Sequence, residues 1–429
     1  MAVIKRNTCV ITALNSRGVG TSTLDLSEPI ELPYTLPGET VEFETHVYRN
    51  KLSYNLSKII NKSQNRITAP CKYFTICGGC SLQHLDHNYY NQIKLDNLLH
   101  TLVAYNVVVG TISPIKFIGA NNRRRAVFEA VKKQDRLFLG FKKFRSHQIV
   151  NIDNCLLLIP ELSNLITKLK DILEKFLNDK EKCKILITKA DNGVDLIIET
   201  TNNNNINLDE TENLKNFAKN NNIIRLTIIN NIGWNIVHLT EKPYILFEDV
   251  AVEIDNHSFL QVSKLSDNIL TNLINNILDK IKKTQQLQIA DLFCGRGTLT
   301  IPASKFGIID GFETEHTSVK ALIKAIKNAA IKATIHQRDL FTKPLEWDEL
   351  NKYDAVIINP PRAGAKEQAN VLSKSTVKTI IYLSGNPESF ARDAKLILHH
   401  NRYQLKEITP IDQFYWSHHI ELLGVFELV

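Results

Sequence analysis

Three cysteines, Cys71, Cys77 and Cys80, stand close together in the string CKYFTICGGC, and a fourth, Cys155, follows in NIDNCLLL. Four thiolates supply a tetrahedral set for one zinc ion or the four corners of an iron–sulfur cluster. The Gly78-Gly79 pair is expected to let the backbone wrap a bulky centre, because glycine accepts positive φ without strain. A second constellation opens at Asp291 in the string DLFCGRGTLT. Its Gly295 and Gly297 let the backbone approach a ligand where a strand turns into a helix. Glu313 closes the next strand in GFE, where a carboxylate can hold two ribose hydroxyls. Asp339, in RDLF, is expected to end the third strand beside an adenine ring. Taken singly, each acid reads equally well as a surface or capping residue. Their ordered recurrence at strand ends points to S-adenosylmethionine rather than a dinucleotide, and the first loop lacks the third glycine of a dinucleotide site.

The elements that must position these groups follow from periodicity. Past residue 285, apolar runs such as LQIADLF, YDAVIINPP and TIIYLSG alternate with helical patterns such as SVKALIKAIKNAA. That rhythm predicts an α/β domain built on a mostly parallel, doubly wound sheet of Rossmann type. Residues 1–60 alternate β-branched positions with Gly/Pro turns and predict a small β-barrel of the oligonucleotide-binding kind, although a plain β-subdomain fits the same signal. Residues 61–245 form an α+β central region that carries the cysteines, a helix over 157–179 and a hairpin turning at Asn192-Gly193. The asparagine run at 202–205 reads as a loop. Residues 246–429 complete the donor-binding domain.

The chain has 429 residues, 43% hydrophobic and 23% charged, ordinary values for a soluble globular protein of several domains. It contains no apolar run of about 18 residues, so a membrane span is not expected. The N-terminus lacks a signal-peptide pattern, which predicts a cytoplasmic protein whose seven cysteines serve as ligands or packing groups rather than disulfides. A monomer is the expected state. The net charge of +7 is compatible with a polyanionic partner without specifying one. More telling are Arg123, Arg124, Arg125, Lys132, Lys133, Arg136, Lys142, Lys143 and Arg145, interleaved with Phe128, Phe138, Phe141 and Phe144. Such a mixture suits phosphate contacts and base stacking on a nucleic acid; a solvated sheet face over a phenylalanine core is the plainer alternative.

With these motifs in order, the chain resembles the RNA (uracil-5-)methyltransferases that carry an iron–sulfur cluster. The resemblance runs almost end to end, through CKYFTICGGCSLQH, GFKKFRSHQIVNIDNC, FLQVS, DLFCGRGTL, NPPRAGA, LSGNPESFARD and HHIELLGVF. It implies that Cys71, Cys77, Cys80 and Cys155 hold a [4Fe–4S] cluster, with zinc still open on spacing alone. It also implies that Gln261, Phe293, Thr298, Glu313, Asp339 and the Asn359 motif line the S-adenosylmethionine site. Structured RNA, ribosomal or transfer, is the implied substrate, its target base flipped from the stack. Cys9 and Cys183 fall outside the motifs and are expected to pack in the core.

The chemistry of that family turns on a thiolate. Uracil C5 is a poor nucleophile until a thiolate adds to C6 and generates an enolate; a base then removes the C5 proton so that the thiolate can leave. In the family the thiol sits in a Ser-Cys-Asn-Pro string, whereas this chain reads Ser384-Gly385-Asn386-Pro387. The nucleophile position, Gly385, has no side chain. The family's base corresponds to Glu421. A second departure is Asn359-Pro360-Pro361-Arg362, where the family has Asp-Pro-Pro-Arg. Three readings remain open: a uracil-C5 enzyme altered at one position, an exocyclic-amine methyltransferase working through Asn359-Pro-Pro, and a non-catalytic RNA-binding protein.

Overall fold

Continuous apolar runs in the C-terminal half become a nine-stranded sheet. The structure, a computed structural model, describes residues 3–23, 29–48, 51–201, 206–256, 258–282 and 285–429. The asparagine run at 202–205, read above as a loop, lies outside these residues. The chain divides into two units. One comprises Met1–Leu99, Phe141–Val150 and Trp416–His419; the other comprises His100–Gly140, Asn151–Tyr415 and Ile420–Val429.

In the second unit, strands Leu287–Leu292, Gly307–Glu313, Ala333–Gln337, Ala355–Ile358 and Thr379–Ser384 pair in parallel. Leu287–Leu292 lies centrally, with Gly307–Glu313 on one side and Ala355–Ile358 on the other. The chain thus winds outward in both directions from this strand. The crevice at the carboxyl ends of two strands whose connections diverge is where such sheets bind ligands. Every side chain of Ala355–Ile358 and Thr379–Ser384 is buried, which explains why they read as mostly apolar runs rather than alternating ones. The last strand, Glu421–Leu428, enters antiparallel between Thr379–Ser384 and Tyr403–Asp412. Helix Lys264–Ile281 covers the sheet with Leu270, Ile274 and Leu278, spaced by four so that they share one face. Its start is fixed by Ser263, whose hydroxyl accepts from the amides of Leu265 and Ser266.

The same unit contains a six-stranded sheet in the order Arg136–Gly140, Arg125–Lys133, Lys182–Ala190, Gly193–Thr200, Ile223–Asn230, Gly233–Leu239. The hairpin expected at Asn192-Gly193 is present. The helix expected over 157–179 is Pro160–Phe176, begun by proline in its first turn and burying Leu162, Leu165, Ile166, Leu169 and Leu173. Burial of each such leucine contributes about 1.5–3 kcal/mol relative to exposure.

In the first unit, strands Val3–Val10, Thr40–Tyr48 and Lys51–Asn61 form one three-stranded antiparallel sheet, and Ala13–Leu14, Gly20–Ser22 and Ile30–Leu32 form another. Cys9, Ile11, Ile30, Leu32, Val41 and Phe43 make their shared core, so Cys9 is a packing residue. Cys183 is likewise buried, in the second unit. Among the described residues, no helix is long and apolar enough to cross a membrane.

Candidate functional site

The glycine loop after Leu287–Leu292 has the backbone its sequence calls for. Phe293, Gly295 and Gly297 have φ of 59°, 56° and 91°. A Cβ on Gly297 would lie 2.4 Å from Leu322 Cδ1, so both conformation and space demand glycine there. The amide of Gly295 donates to Glu313 Oε2 at 3.0 Å, while Glu313 Oε1 accepts from the amides of Thr314 and Glu315 at 2.8 Å. This carboxylate therefore joins the ends of two adjacent strands and fixes the mouth of a cleft.

That cleft has a volume of about 870 Å³. Gln261, Phe293, Thr298, Glu313 and Asn359, five of the expected donor-site residues, line it together. Asp339 does not appear in its wall. Strand Ala333–Gln337 ends before Asp339, whose Oδ1 accepts from Phe341 N at 2.9 Å and whose Oδ2 accepts from Thr342 Oγ1 at 3.0 Å. The carboxylate shapes a turn that brings Phe341 into the wall, with its ring centroid 5.3 Å from that of Phe293. Phe341 was not legible as a site residue, since only the turn geometry brings its half-exposed ring to the cleft. Asp291 lies at the cleft floor, wholly buried; burial raises its pKa to about 7, against the opposing hydrogen bond from Thr300.

The arginine run differs from its reading as an RNA-facing patch. Arg124 is only 4% exposed: it donates to Asp267 Oδ2 at 2.6 Å and to the Gln261 carbonyl at 3.2 Å. Arg125 donates to the Ser258 carbonyl at 2.6 Å, and Arg123 to the Arg125 carbonyl at 2.9 Å. From below, Arg296 reaches Asp255 Oδ2 at 2.6 Å and the Glu253 carbonyl at 2.8 Å. The guanidiniums of Arg124, Arg125 and Arg296 hold the segment that presents Gln261 to the cleft. Carbonyls left unpaired in that buried turn would cost more than exposed arginines gain from solvent, so the run folds inward. Phe128, also in that stretch, is fully buried.

The corner expected to carry the chemistry is assembled from two strand ends. Strand Thr379–Ser384 leads into Gly385, and strand Glu421–Leu428 begins at Glu421. A Cβ built on Gly385 would lie 3.0 Å from Glu421 Oε2, so positions far apart in sequence are in contact. Glu421 is 5% exposed, and its Oε2 accepts from Gln413 Nε2 at 2.7 Å. Burial raises its pKa to about 7, against the opposing effects of Gln413 and the Arg362 charge. Asn359, Pro360 and Pro361 line the donor cleft, and Arg362 follows them directly.

In the first unit, the cysteine loop closes through Phe74 N to Cys71 O at 3.0 Å and Cys77 N to Tyr73 O at 2.8 Å. The glycine pair works differently from its reading above. Neither Gly78 nor Gly79 has positive φ; Thr75, at 72°, takes the left-handed position. Gly78 is needed for space, since a Cβ there would lie 2.9 Å from the Lys142 carbonyl that its own amide bonds. Burial and the nearby charges of Cys77 and Cys80 push the Tyr34 phenol up to about 12. Its hydroxyl is buried without a hydrogen-bond partner among the described residues, which leaves a donor for a sulfur-rich group. Cys155 belongs to the second unit, its amide donating to Ser163 Oγ at 3.0 Å. Among the described residues, no group of three or more His, Cys, Asp or Glu side chains is gathered to hold a metal ion.

Comparison with known proteins decides the family. The family model described as tRNA (uracil-5-)-methyltransferase matches residues 91–427. The chain belongs to that family. An uncharacterised RNA methyltransferase of Brucella melitensis is 32% identical over 427 residues, 99% of each chain. A 23S rRNA (uracil(1939)-C(5))-methyltransferase of Francisella tularensis is 28% identical, covering 98% of this chain and 96% of that one. The solved structure of the Pyrococcus abyssi tRNA (uracil-54, C5)-methyltransferase with S-adenosyl-L-homocysteine superposes with a TM-score of 0.70 at 22% identity, over 98% of this chain and all of that one. This last likeness shows a shared fold.

For a member of the uracil-5-methyltransferase family, the neighbours of Gly385 matter. Ser384 Oγ accepts from Asn386 N at 3.2 Å and donates to Asn386 O at 3.1 Å, so it is committed to the turn. Cys294 lines the donor cleft, but it packs in a hydrophobic cluster. Burial, then the negative charges of Asp291 and Glu313, raises its thiol pKa well above the ordinary value. A thiol so disposed is a packing group, not a thiolate nucleophile.

Proposed function

We propose that this chain is an S-adenosylmethionine-dependent RNA methyltransferase of the uracil-C5 lineage, acting on ribosomal or transfer RNA in the cytoplasm, with the covalent C5 route closed at Gly385. One observation carries the reading: the base position is built and the nucleophile position beside it is bare. In the open route, a thiolate forms a bond to C6 and pushes electrons onto the uracil O4. C5 then attacks the donor methyl and releases S-adenosylhomocysteine. Proton loss from C5 to Glu421 returns the electron pair that expels sulfur. Without the first bond, C5 lacks the electron density to take the methyl.

A second reading is favoured by Asn359, Pro360 and Pro361 in the cleft wall. An amide oxygen and a proline carbonyl there would accept hydrogen bonds from an exocyclic amine and leave its lone pair aimed at the methyl, with no thiolate required. Tritiated S-adenosylmethionine incubated with this chain and bulk RNA tests both readings. Labelled 5-methyluridine would overturn the closed route, N-methylated product supports the amine reading, and no label in RNA supports closure but rejects methyl transfer by the chain as it stands, leaving the non-catalytic RNA-binding reading.

Glu313, Gln261, Phe293 and Thr298 are proposed to bind the donor, with Glu313 taking the ribose hydroxyls. Glu313→Ala is expected to weaken S-adenosylhomocysteine binding roughly 10- to 150-fold in calorimetry, the loss of hydrogen bonds to a charged group. The N-terminal sheets are proposed to serve as an oligonucleotide-binding module of residues 1–60, preceding a central region at 61–245 and the donor domain at 246–429.

Cys71, Cys77, Cys80 and Cys155 are proposed to hold a [4Fe–4S] cluster, supported by the unpartnered Tyr34 hydroxyl beside two of these thiols. When bound, such a group would brace the RNA-facing surface without transferring electrons, since methyl transfer moves none. Anaerobic reconstitution is expected to yield iron and acid-labile sulfide in equal amounts; stoichiometric zinc without sulfide would reject the assignment.

A further inference from the structure

The hairpin of strands Ile223–Asn230 and Gly233–Leu239 reaches the donor cleft from the six-stranded sheet, and nothing in the donor chemistry above uses it. Ile229, Asn230, Gly233 and Trp234 all line that cleft. The tip is pre-formed. Asn230 Oδ1 accepts from the amides of Ile232 and Gly233 at 3.0 and 3.1 Å, a side-chain turn that fixes where Trp234 begins its strand.

Trp234 is 67% exposed, and Ile232 and Ile236 beside it are exposed as well. Trp234 and Ile236 lie on the edge strand of the sheet, and Ile232 in the turn just before it. A bare edge bearing an indole and an isoleucine, with a second isoleucine in its turn, invites aggregation unless a ligand covers it. The covering group must be flat and apolar on one face. A nucleotide base meets that condition, and the RNA methyltransferase family of this chain supplies one at the cleft that Trp234 lines. The methyl donor would have its own aromatic wall in Phe293 and Phe341, in the loops that follow strands Leu287–Leu292 and Ala333–Gln337.

We propose that Trp234 is a base-stacking residue: its indole receives an unpaired nucleotide base of the substrate RNA at the rim of the donor cleft, next to the base being methylated. The 223–239 hairpin then helps to select which RNA segment enters. This inference rests on the RNA-methyltransferase reading and deepens it.

The test compares wild type, Trp234→Ala and Trp234→Phe in filter binding to total transfer RNA and to ribosomal RNA fragments. Calorimetry with S-adenosylhomocysteine is run on the same three proteins. Loss of one stacked base is expected to weaken RNA binding of Trp234→Ala between about 5-fold and about 150-fold. Trp234→Phe should recover most of that loss, and all three should bind S-adenosylhomocysteine equally. Tryptophan emission of the wild type should be quenched by RNA but not by S-adenosylhomocysteine, with less quenching in Trp234→Phe. RNA affinity unchanged in Trp234→Ala overturns the proposal. A matching loss of S-adenosylhomocysteine affinity also overturns it and assigns Trp234 to the donor. Failure of the wild type to bind any RNA overturns the RNA reading itself, and is seen before a variant is made.

Discussion

Gly385→Cys is expected to turn this chain into an enzyme that makes 5-methyluridine, with a gain over the natural chain on the order of a thousandfold or more, the scale set by removing nucleophiles elsewhere. Three features support the substitution. Gly385 is absent from the positive-φ positions, so its backbone accepts an L side chain. The new Cβ would stand 3.0 Å from Glu421 Oε2, a contact that a shift of a few tenths of an ångström in the carboxylate relieves. The site also directly precedes Asn386, which caps helix Pro387–Ile397 by accepting from Glu388 N at 3.1 Å, and a helix N-terminus favours the thiolate. Tritium transfer to bulk RNA, followed by nucleoside analysis, measures the result. If Gly385→Cys binds donor and RNA normally yet forms no 5-methyluridine, the missing thiol is not what closes the route.

Glu421→Gln, placed on the Gly385→Cys background, is expected to halt the reaction after methyl transfer. Glutamine keeps the shape but cannot take the C5 proton, so sulfur cannot leave. Turnover should fall about 100- to 10,000-fold, the usual contribution of a general base. A protein–RNA adduct surviving denaturing electrophoresis should accumulate in its place. The pH dependence has a definite sign. Burial raises the Glu421 pKa to about 7, so the carboxyl is protonated below that and cannot act as a base. The rate of Gly385→Cys should therefore rise as pH increases through about 7, and the adduct yield of the double variant should lack that rise. A rate that is flat across neutral pH, with no adduct in the double variant, would remove Glu421 from the role of base.

Much of the donor domain was legible because its signals are local. AVII and the IIYL within TIIYLS run without polar interruption because both faces of the sheet are covered there, and that shows in consecutive residues. Gly295 and Gly297 announced a tight loop for a similar reason, and Phe293 joins them at positive φ. The arginine run was misleading because charge alone does not say which way a side chain points. Arg124 faces inward only because the Gln261 carbonyl and Asp267, more than a hundred residues away, need a donor there. Gly78 shows the same limit at one residue, being glycine for the sake of the Lys142 carbonyl rather than for its own φ.

The sequence by itself determined the alternating α/β order, the donor loop and the absence of a thiol at residue 385, since each is written in neighbouring residues or in a side chain's identity. Tertiary structure decided what those residues face. It set Glu421 against Gly385, buried it enough to hold its proton to about 7, placed Phe341 in the cleft wall, and brought Trp234 to the same cleft. Such outcomes depend on burial and on hydrogen-bond partners distant in the chain, quantities that exist only once the two sheets and their connecting segments have packed.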